Sequence, residues 1–299
     1  MAAPSDNTRG ALLMMGAMAA FTLNDACMKA LGGELPLFQA IFLRGAATTL
    51  LLLVLARVMG ALRFDLPRRD WGLIGLRSLA EVGAAYFFIT ALFNMPLANA
   101  TAIIQTIPLS VTLAGALFLR EPLGWRRLTA ILVGFAGVLL IVRPGTDGFT
   151  VFSLYALVSV VFVTLRDLAT RQLSREVPSL TVALTAAAGV AMFGAVGTAG
   201  SEWAPVTARS AALLIAATGF VIGGYLFSVM VMRVGDLSVV APFRYTSLLF
   251  ALVLGLVVFG DWPAPMTLLG AAIVTATGIY TLLRERHLNR RAAVPLRMR

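Results

Sequence analysis

Long apolar runs alternate with short polar segments along almost the whole chain. A helix needs about 20 mainly apolar residues to cross the hydrocarbon core of a bilayer, and ten of the runs approach or reach that length. We therefore predict ten membrane-spanning helices, named span 1 to span 10, over residues 10–31, 36–58, 71–92, 98–118, 128–142, 151–170, 179–197, 208–232, 237–259 and 266–283. The connectors leave no room for a separate soluble domain, so the expected fold is an all-α integral membrane protein.

A sequence repeat divides the spans into two sets of five. The repeat aligns Asp25, Lys29 and Pro36 with Asp167, Arg171 and Pro178 at a spacing of 142 residues, and Gly83, Leu97 and Glu121 with Gly223, Leu237 and Asp261 at a spacing of 140. Because five is odd, the second copy must cross the membrane in the opposite sense. We predict two inverted five-helix repeats, residues 1–145 and 146–285, and a basic tail over 286–299. Secondary transporters share this architecture and open a site between the repeats to either side in turn.

Composition supports a membrane protein and gives the basic residues a topological role. Apolar residues make up 59% of the chain and charged residues 13%, against about 25% charged in soluble domains. The formal net charge is +10, yet the arginines lie between apolar runs and not on one amphipathic face, so we expect no nucleic-acid partner. Most of them lie in alternate connectors. The positive-inside rule then predicts cytoplasmic termini for a multi-pass protein of the inner membrane, in contact with membrane lipid.

Scarce residue types exclude several kinds of chemistry. With one cysteine, Cys27, there can be no intrachain disulfide and no cysteine-based metal site. The single histidine, His287, lies in the predicted tail, so neither zinc chemistry nor a Ser/His/Asp triad is expected. No GxxxxGK segment is present to bind nucleotide phosphates. We expect no metal, no cofactor and no catalytic residue, hence a protein that is not an enzyme. The sequence leaves the oligomeric state open.

Two segments of the first repeat carry a family resemblance. The sequences "FLRGAATTL" in span 2 and "PLANATAIIQTIPLSVTLAGALFLREPLGWRRLTAILVGFAGVLLIV" in spans 4 and 5 resemble EamA-type members of the drug/metabolite transporter superfamily. The resemblance implies export of amino acids and other small metabolites by alternating access, with an aromatic-amino-acid branch as the nearest. The second copy departs from the pattern, because Ala186 occupies the position of Arg44 and "GDWPAP" replaces "REPLGW". The two halves are therefore not expected to contribute equally to a site.

Other functions remain open at this point. A carrier of sugar phosphates or nucleotide sugars would need several cations in its cavity. An integral-membrane enzyme acting on lipid-linked substrates would need convergent His, Asp or Glu residues at one membrane face. A channel or sensor could be built from the same helices. The leading prediction is a transporter of a small-molecule substrate, an amino acid or related metabolite.

Prolines inside spans 4 and 9 predict the substrate site. Pro108 and Pro242 break their helices at matching places in the two repeats and free the carbonyls of Ile104 and Ser238. Arg244 would lie roughly 12 Å inside the membrane, where it could bind a substrate carboxylate or, alternatively, snorkel or pair with Glu81 or Asp25. The candidate substrate-binding residues are Tyr86, Asn99, Gln105, Thr106, Phe243, Arg244 and Tyr245. Tyr86 and other aromatic residues could wall a cavity or simply pack against neighbours and lipid.

Three pairs of opposite charges at a spacing of four predict ion pairs on single helices. The pairs are Asp25 with Lys29, Asp167 with Arg171, and Arg77 with Glu81. Inversion places the first two at opposite membrane faces, where they could act as matched gates or merely neutralise helix ends. The third could be self-neutralising, or an unpaired Glu81 could couple transport to protons. Glycines in spans 5 and 10 predict close packing of these two helices, namely Gly134, Gly137, Gly270 and Gly278.

Overall fold

The part of the chain that the structure describes contains ten helical spans, as predicted. The computed structural model describes residues 6–60, 62–121, 123–143, 150–174, 176–234 and 240–292, and every regular element in these ranges is a helix. Each span is long and apolar enough to cross a membrane. In chain order the spans are Asp6–Leu31, Leu37–Val58, Arg68–Asn94, Leu97–Ile104 continued by Ile107–Phe118, Trp125–Val142, Val151–Arg171, Ser179–Gly197, Ala208–Val234, the 3₁₀ helix Ala241–Tyr245 continued by Thr246–Phe259, and Pro265–Ala292.

Prolines mark where several of the spans begin. Spans 2, 3, 4 and 7 start directly after a proline, which has no N–H to lose at a helix start and has its φ already near the helical value. These prolines are Pro36, Pro67, Pro96 and Pro178, which precede spans 2, 3, 4 and 7. Span 3 runs from Arg68 to Asn94, longer than its predicted apolar run, because polar residues at both ends continue the helix beyond the hydrocarbon core.

Spans 4 and 9 are interrupted where the prolines predicted. Span 4 breaks at Gln105 and Thr106, and Pro108 is the second residue of the helix that follows. In span 9, Pro242 lies in the 3₁₀ helix that precedes the α-helix. Proline removes one backbone donor and crowds the preceding turn, so it kinks or breaks an α-helix at such a position. The matching break in span 9 confirms the predicted discontinuity, although Ser238 lies outside the described residues.

The packing of the spans repeats itself across the two halves. Span 1 packs along span 8, and span 6 packs along span 3. In the first junction the ring of Phe21 lies against Gly224, where a Cβ would be 2.7 Å from a ring carbon. In the second the ring of Phe162 lies against Gly83 in the same way, at 2.6 Å. Because a side chain at either glycine would displace a ring, the two junctions use the same packing device.

Spans 5 and 10 pack through their backbones, as their glycines predicted. A Cβ on Gly137 would lie 2.9 Å from the carbonyl oxygen of Gly270, and one on Gly270 would collide with the carbonyl of Gly137. Gly134 faces Leu109 and Thr277, and Gly278 faces the ring of Tyr245. Small residues allow such close approach in a membrane, where helix association depends on van der Waals packing. Spans 5 and 10 thus form a tightly packed pair beside the two broken helices.

Some predicted features fall outside the described residues. They are Leu237 of the repeat, Ser238 of the span 9 break, the boundary between residues 145 and 146, and residues 293–299 of the tail.

Candidate functional site

A network of opposite charges lies between spans 1, 2, 3 and 6, within helices that are long and apolar enough to cross a membrane. It is made of three arginines and three carboxylates, Asp25, Arg44, Arg77, Glu81, Arg166 and Asp167. An isolated charge is costly in a bilayer interior, and pairing lowers that cost. Opposite charges balance within the network, so its side chains can lie at membrane depth together.

The tightest part of the network joins spans 3 and 6. Arg166 Nη2 lies 2.8 Å from Asp167 Oδ1, and Arg166 Nη1 lies 3.4 Å from Glu81 Oε2. Arg77 Nη2 lies 3.9 Å from the same Glu81 oxygen, and Arg77 Nε donates a hydrogen bond to Thr170 Oγ1 at 3.0 Å. The predicted Arg77–Glu81 pair is therefore confirmed, while an unpaired Glu81 is wrong because Glu81 faces two guanidinium groups.

Arg44 carries the network from span 3 to span 1. Its Nη1 donates to Asn24 Oδ1 at 3.2 Å, and Asn24 Nδ2 donates to Asp25 Oδ1 at 2.9 Å. Arg44 also interacts electrostatically with Asp25 and Glu81. Its Nε is buried and has no hydrogen-bond partner in the part of the chain that the structure describes. Arg77 Nη1 is in the same state, so the described part of the network holds two guanidinium donors that a ligand could satisfy.

Sequence reasoning did not assign a role to Arg44, Arg166 or Asn24. The predicted ion pairs join residues four positions apart on one helix. Arg166 instead bonds its own neighbour Asp167 and also reaches Glu81 on span 3. One signal was present in the repeat: Asn24 and Asp25 align with Arg166 and Asp167 at the spacing of 142. Both polar pairs lie in the first helix of a half, which marks that helix as a site element.

The predicted Asp25–Lys29 pair is wrong. Lys29 Nζ lies 3.9 Å from Asp261 Oδ2 on span 9, and it donates a hydrogen bond to the carbonyl of Met95 at 2.8 Å. Asp25 turns instead toward Asn24 and Arg44. A pair spaced by four on one helix gains only about 0.2–0.5 kcal/mol, so partners from a neighbouring helix readily replace it.

The predicted Asp167–Arg171 pair is wrong for the same reason. Arg171 Nη1 lies 3.2 Å from Glu121 Oε1, beyond the end of span 4. Asp167 is bonded by Arg166. In both halves the cation at the end of the first helix therefore pairs with an acid from the other half. The predicted residues are all used, but in different pairs.

Aromatic rings gather beside the network, and Tyr86 lies among them. The Tyr86 ring stacks on Phe38 at 5.9 Å between centroids and meets the edge of Phe193 at 5.8 Å. Phe87 lies 5.3 Å from Tyr155 in the same group. Tyr86 follows Glu81 by five residues on span 3, roughly 7.5 Å along the helix axis. These rings come from spans 2, 3, 6 and 7 and are all half-buried.

The residues predicted on spans 4 and 9 meet at the two helix breaks. Gln105 Nε2 donates to the carbonyl of Arg244 at 3.1 Å, which ties one break to the other. Thr106 bonds the carbonyl of Ile103 at 2.6 Å, and Tyr245 is buried against span 10. Phe243 packs beside the small cluster of Met14, Val231 and Val240. Asn99 Oδ1 is buried and has no partner among the described residues.

Arg244 does not join the charge network. Glu81 pairs with Arg77 and Arg166, and Asp25 faces Arg44, so the predicted alternative that Arg244 pairs with either acid is wrong. Among the described residues Arg244 forms no ion pair, and its side chain is half-buried. Its contact with substrate remains a prediction.

Comparisons with known proteins agree with this architecture. Residues 8–143, which hold the first five spans, match the EamA-like transporter family. The pseudopaline exporter of Pseudomonas aeruginosa is 28% identical to the chain, covering 90% of it and 94% of the exporter. The riboflavin transporter of Vibrio cholerae is 26% identical (95% and 96% covered), and the S-adenosylmethionine uptake transporter of Rickettsia prowazekii is 24% identical (89% of each).

A solved structure supports the fold as well. One crystal structure superposes with a TM-score of 0.64 at 21% sequence identity, covering 95% of this chain and 99% of the other. At that identity the likeness concerns the fold alone. In the part of the chain that the structure describes, ten helices can cross a membrane, and full-length similarity to small-molecule transporters agrees with them. The chain is therefore a multi-pass membrane protein, and its first five spans match the EamA-like transporter family.

Proposed function

We propose that this protein is a secondary transporter that exports amino acids, including aromatic ones, or closely related small metabolites across the inner membrane by alternating access. Both termini lie in the cytoplasm in this proposal. The observation that carries it is the balanced charge network of spans 1, 2, 3 and 6 beside a group of aromatic rings. Residues 1–145 and 146–285 act as the two moving repeats.

The balance of charge favours a zwitterion over an anion. An amino acid brings one carboxylate and one ammonium group, which match the two kinds of side chain in the network. We assign the carboxylate to Arg44, whose Nε lacks a partner among the described residues, and the ammonium to Asp25. Charge-assisted hydrogen bonds of this kind are strong and directional. A sugar phosphate would add negative charge without compensation, because every arginine of the network already faces a carboxylate.

The cluster of aromatic rings adds specificity for the side chain of the substrate. Tyr86, Phe38 and Phe193 present ring faces and edges to one another, so a ring-bearing side chain of the substrate can stack there. Arg244 contributes a further cation from span 9. In this proposal the two helix breaks border the path of the substrate. The residues that shape them are Asn99, Gln105, Thr106, Phe243 and Tyr245.

The relatives support small-molecule transport and differ in direction. One is named an exporter and another an uptake transporter. S-adenosylmethionine, the named cargo of one relative, is a derivative of the amino acid methionine. We propose export on the basis of the exporter, and the direction is open to direct measurement.

Counterflow in sealed proteoliposomes tests the proposal. Labelled amino acid is added outside vesicles that hold an excess of the unlabelled compound, and the twenty amino acids, a sugar phosphate and riboflavin compete in parallel. We expect the labelled amino acid to accumulate inside the vesicles. Among the competitors, only amino acids should reduce this accumulation. Arg44→Gln should abolish it, while Arg57→Gln, an exposed arginine on the same span, should not. Absence of counterflow with every amino acid would refute the assigned substrate class.

A further inference from the structure

Two ion pairs outside the charge network occupy equivalent positions in the two halves. Lys29 pairs with Asp261, and Arg171 pairs with Glu121. Lys29 aligns with Arg171 at the repeat spacing of 142, and Glu121 aligns with Asp261 at 140. Each pair therefore joins the end of the first helix of one half to the end of the fourth helix of the other half.

The two pairs lie on opposite sides of the membrane. Span 1 begins on the side that holds residue 6, so Lys29 near its end lies on the other side. Span 6 crosses in the reverse direction, which brings Arg171 back to the side of residue 6. Asp261 follows span 9 and Glu121 follows span 4, each on the side of its partner. Each side of the membrane thus has one ion pair that joins the two halves.

The same backbone turn presents both acids. The Glu121 N–H donates to the carbonyl of Gly115 at 3.2 Å, and the Asp261 N–H donates to the carbonyl of Gly255 at 2.9 Å. In each turn the residue before the acid is left-handed, with φ 56° at Arg120 and 68° at Gly260. A left-handed residue commonly ends a helix, and it lets N–H groups beyond the end bond the free carbonyls of the last turns. An arginine seldom adopts this conformation, so the turn is maintained in the first half at a conformational cost.

We propose that these ion pairs are reciprocal latches of the transport cycle. The Lys29–Asp261 pair must separate for the protein to open on its side, while the Arg171–Glu121 pair stays closed, and the roles exchange in the second half of the cycle. The inference rests on the proposed alternating-access function. It differs from the gates predicted from sequence, which joined residues of single helices and could not have responded to movement between the halves.

The latches differ in their exposure to solvent. The side chains of Lys29 and Asp261 are 13% and 38% exposed, and Lys29 also bonds the Met95 carbonyl and lies 5.2 Å from the centre of the Phe259 ring. The side chains of Arg171 and Glu121 are 45% and 44% exposed, so solvent screens that pair more. Neutralising Lys29 should therefore change the conformational populations more than neutralising Arg171.

Cysteine accessibility tests the latches without any knowledge of the substrate. Ala26 and Leu168 are equivalent positions, each 7% exposed and three residues before a latch cation on the same helical face. With Cys27 replaced by alanine, Ala26→Cys and Leu168→Cys serve as single reporters in vesicles of known orientation. A membrane-impermeant maleimide then reports, from each side, how often that side opens.

The expected result is side-specific. Lys29→Gln should raise the labelling rate of the Ala26→Cys reporter at least threefold and leave the Leu168→Cys reporter unchanged or slower. Arg171→Gln should do the reverse, and Lys29→Arg should preserve the original rates.

Asp261→Asn and Glu121→Gln repeat the test by neutralising the acidic partner of each pair. Size-exclusion profiles confirm that each variant is folded. Equal rises at both reporters would show general loosening and overturn the latches, as would unchanged rates in all four neutralised variants. Because these readouts need no substrate, failed counterflow with normal side-specific labelling would count against the substrate class alone.

Discussion

Removing the Arg166 guanidinium should destabilise the junction of spans 3 and 6 more than any surface change. Arg166 makes two short contacts with Asp167, at 2.9 and 2.8 Å, and reaches Glu81 at 3.4 Å. A hydrogen bond to a charged group contributes about 1.5–3 kcal/mol, and its loss also leaves acids at membrane depth with less compensation. The three side chains are between 26% and 30% exposed, which screens part of this energy. We expect Arg166→Gln to lower the free energy of unfolding by roughly 2–4 kcal/mol.

The measurement is reversible denaturation by sodium dodecyl sulfate in mixed micelles, followed by tryptophan fluorescence. A second variant separates electrostatics from packing, because Asp167→Asn in the Arg166→Gln protein removes the acid that lost its partner. It should recover at least a third of the lost stability. A loss of less than about 0.5 kcal/mol for Arg166→Gln, the range of ordinary surface substitutions, would refute the claim that the network is an interacting unit. A double variant no more stable than the single one would refute its electrostatic basis.

Three further predictions concern packing and specificity. Gly270→Ala should lower the unfolding free energy by about 1–3 kcal/mol, because the new Cβ would collide with the Gly137 carbonyl, whereas Gly219→Ala, with open space at that position, should be near neutral in the same titration. Tyr86→Leu should reduce counterflow of aromatic amino acids several-fold more than that of aliphatic ones, and equal losses would show that the ring only packs. Arg244→Ala should weaken substrate affinity about ten- to hundredfold in competition assays, and unchanged affinity in a folded sample would exclude the contact.

Properties of single helices could be predicted from the sequence. Ten spans follow from the length and apolar content of each run, because backbone groups in lipid must be satisfied within the segment. The breaks at Pro108 and Pro242 follow from the missing donor of proline, and the glycine contact of spans 5 and 10 follows from residue size. None of these depends on knowing which helices are neighbours.

Partner choice could not be predicted, since it depends on the arrangement of helices. Lys29 had Asp25 available one turn away, yet its partners came from spans 3 and 9. Spacing alone also left Arg44 and Arg166 without roles, although they join acids on three different spans. The repeat alignment held part of the missing information, because Lys29 aligns with Arg171 and Glu121 aligns with Asp261, so the same pairing occurs once in each orientation.

The four-residue spacing between acid and cation, which suggested ion pairs within one helix, has a different role in the proposed cycle. Asp25 and Lys29 lie about one turn apart on a rigid helix, one in the charge network and the other in a latch. Asp167 and Arg171 repeat this arrangement in span 6. A substrate ammonium that binds Asp25 therefore acts on the same helix that carries Lys29, so a shift or rotation of that helix moves both residues together. In the proposed cycle the first helix of each half connects substrate binding to latch opening, which a self-contained pair within one helix could not do.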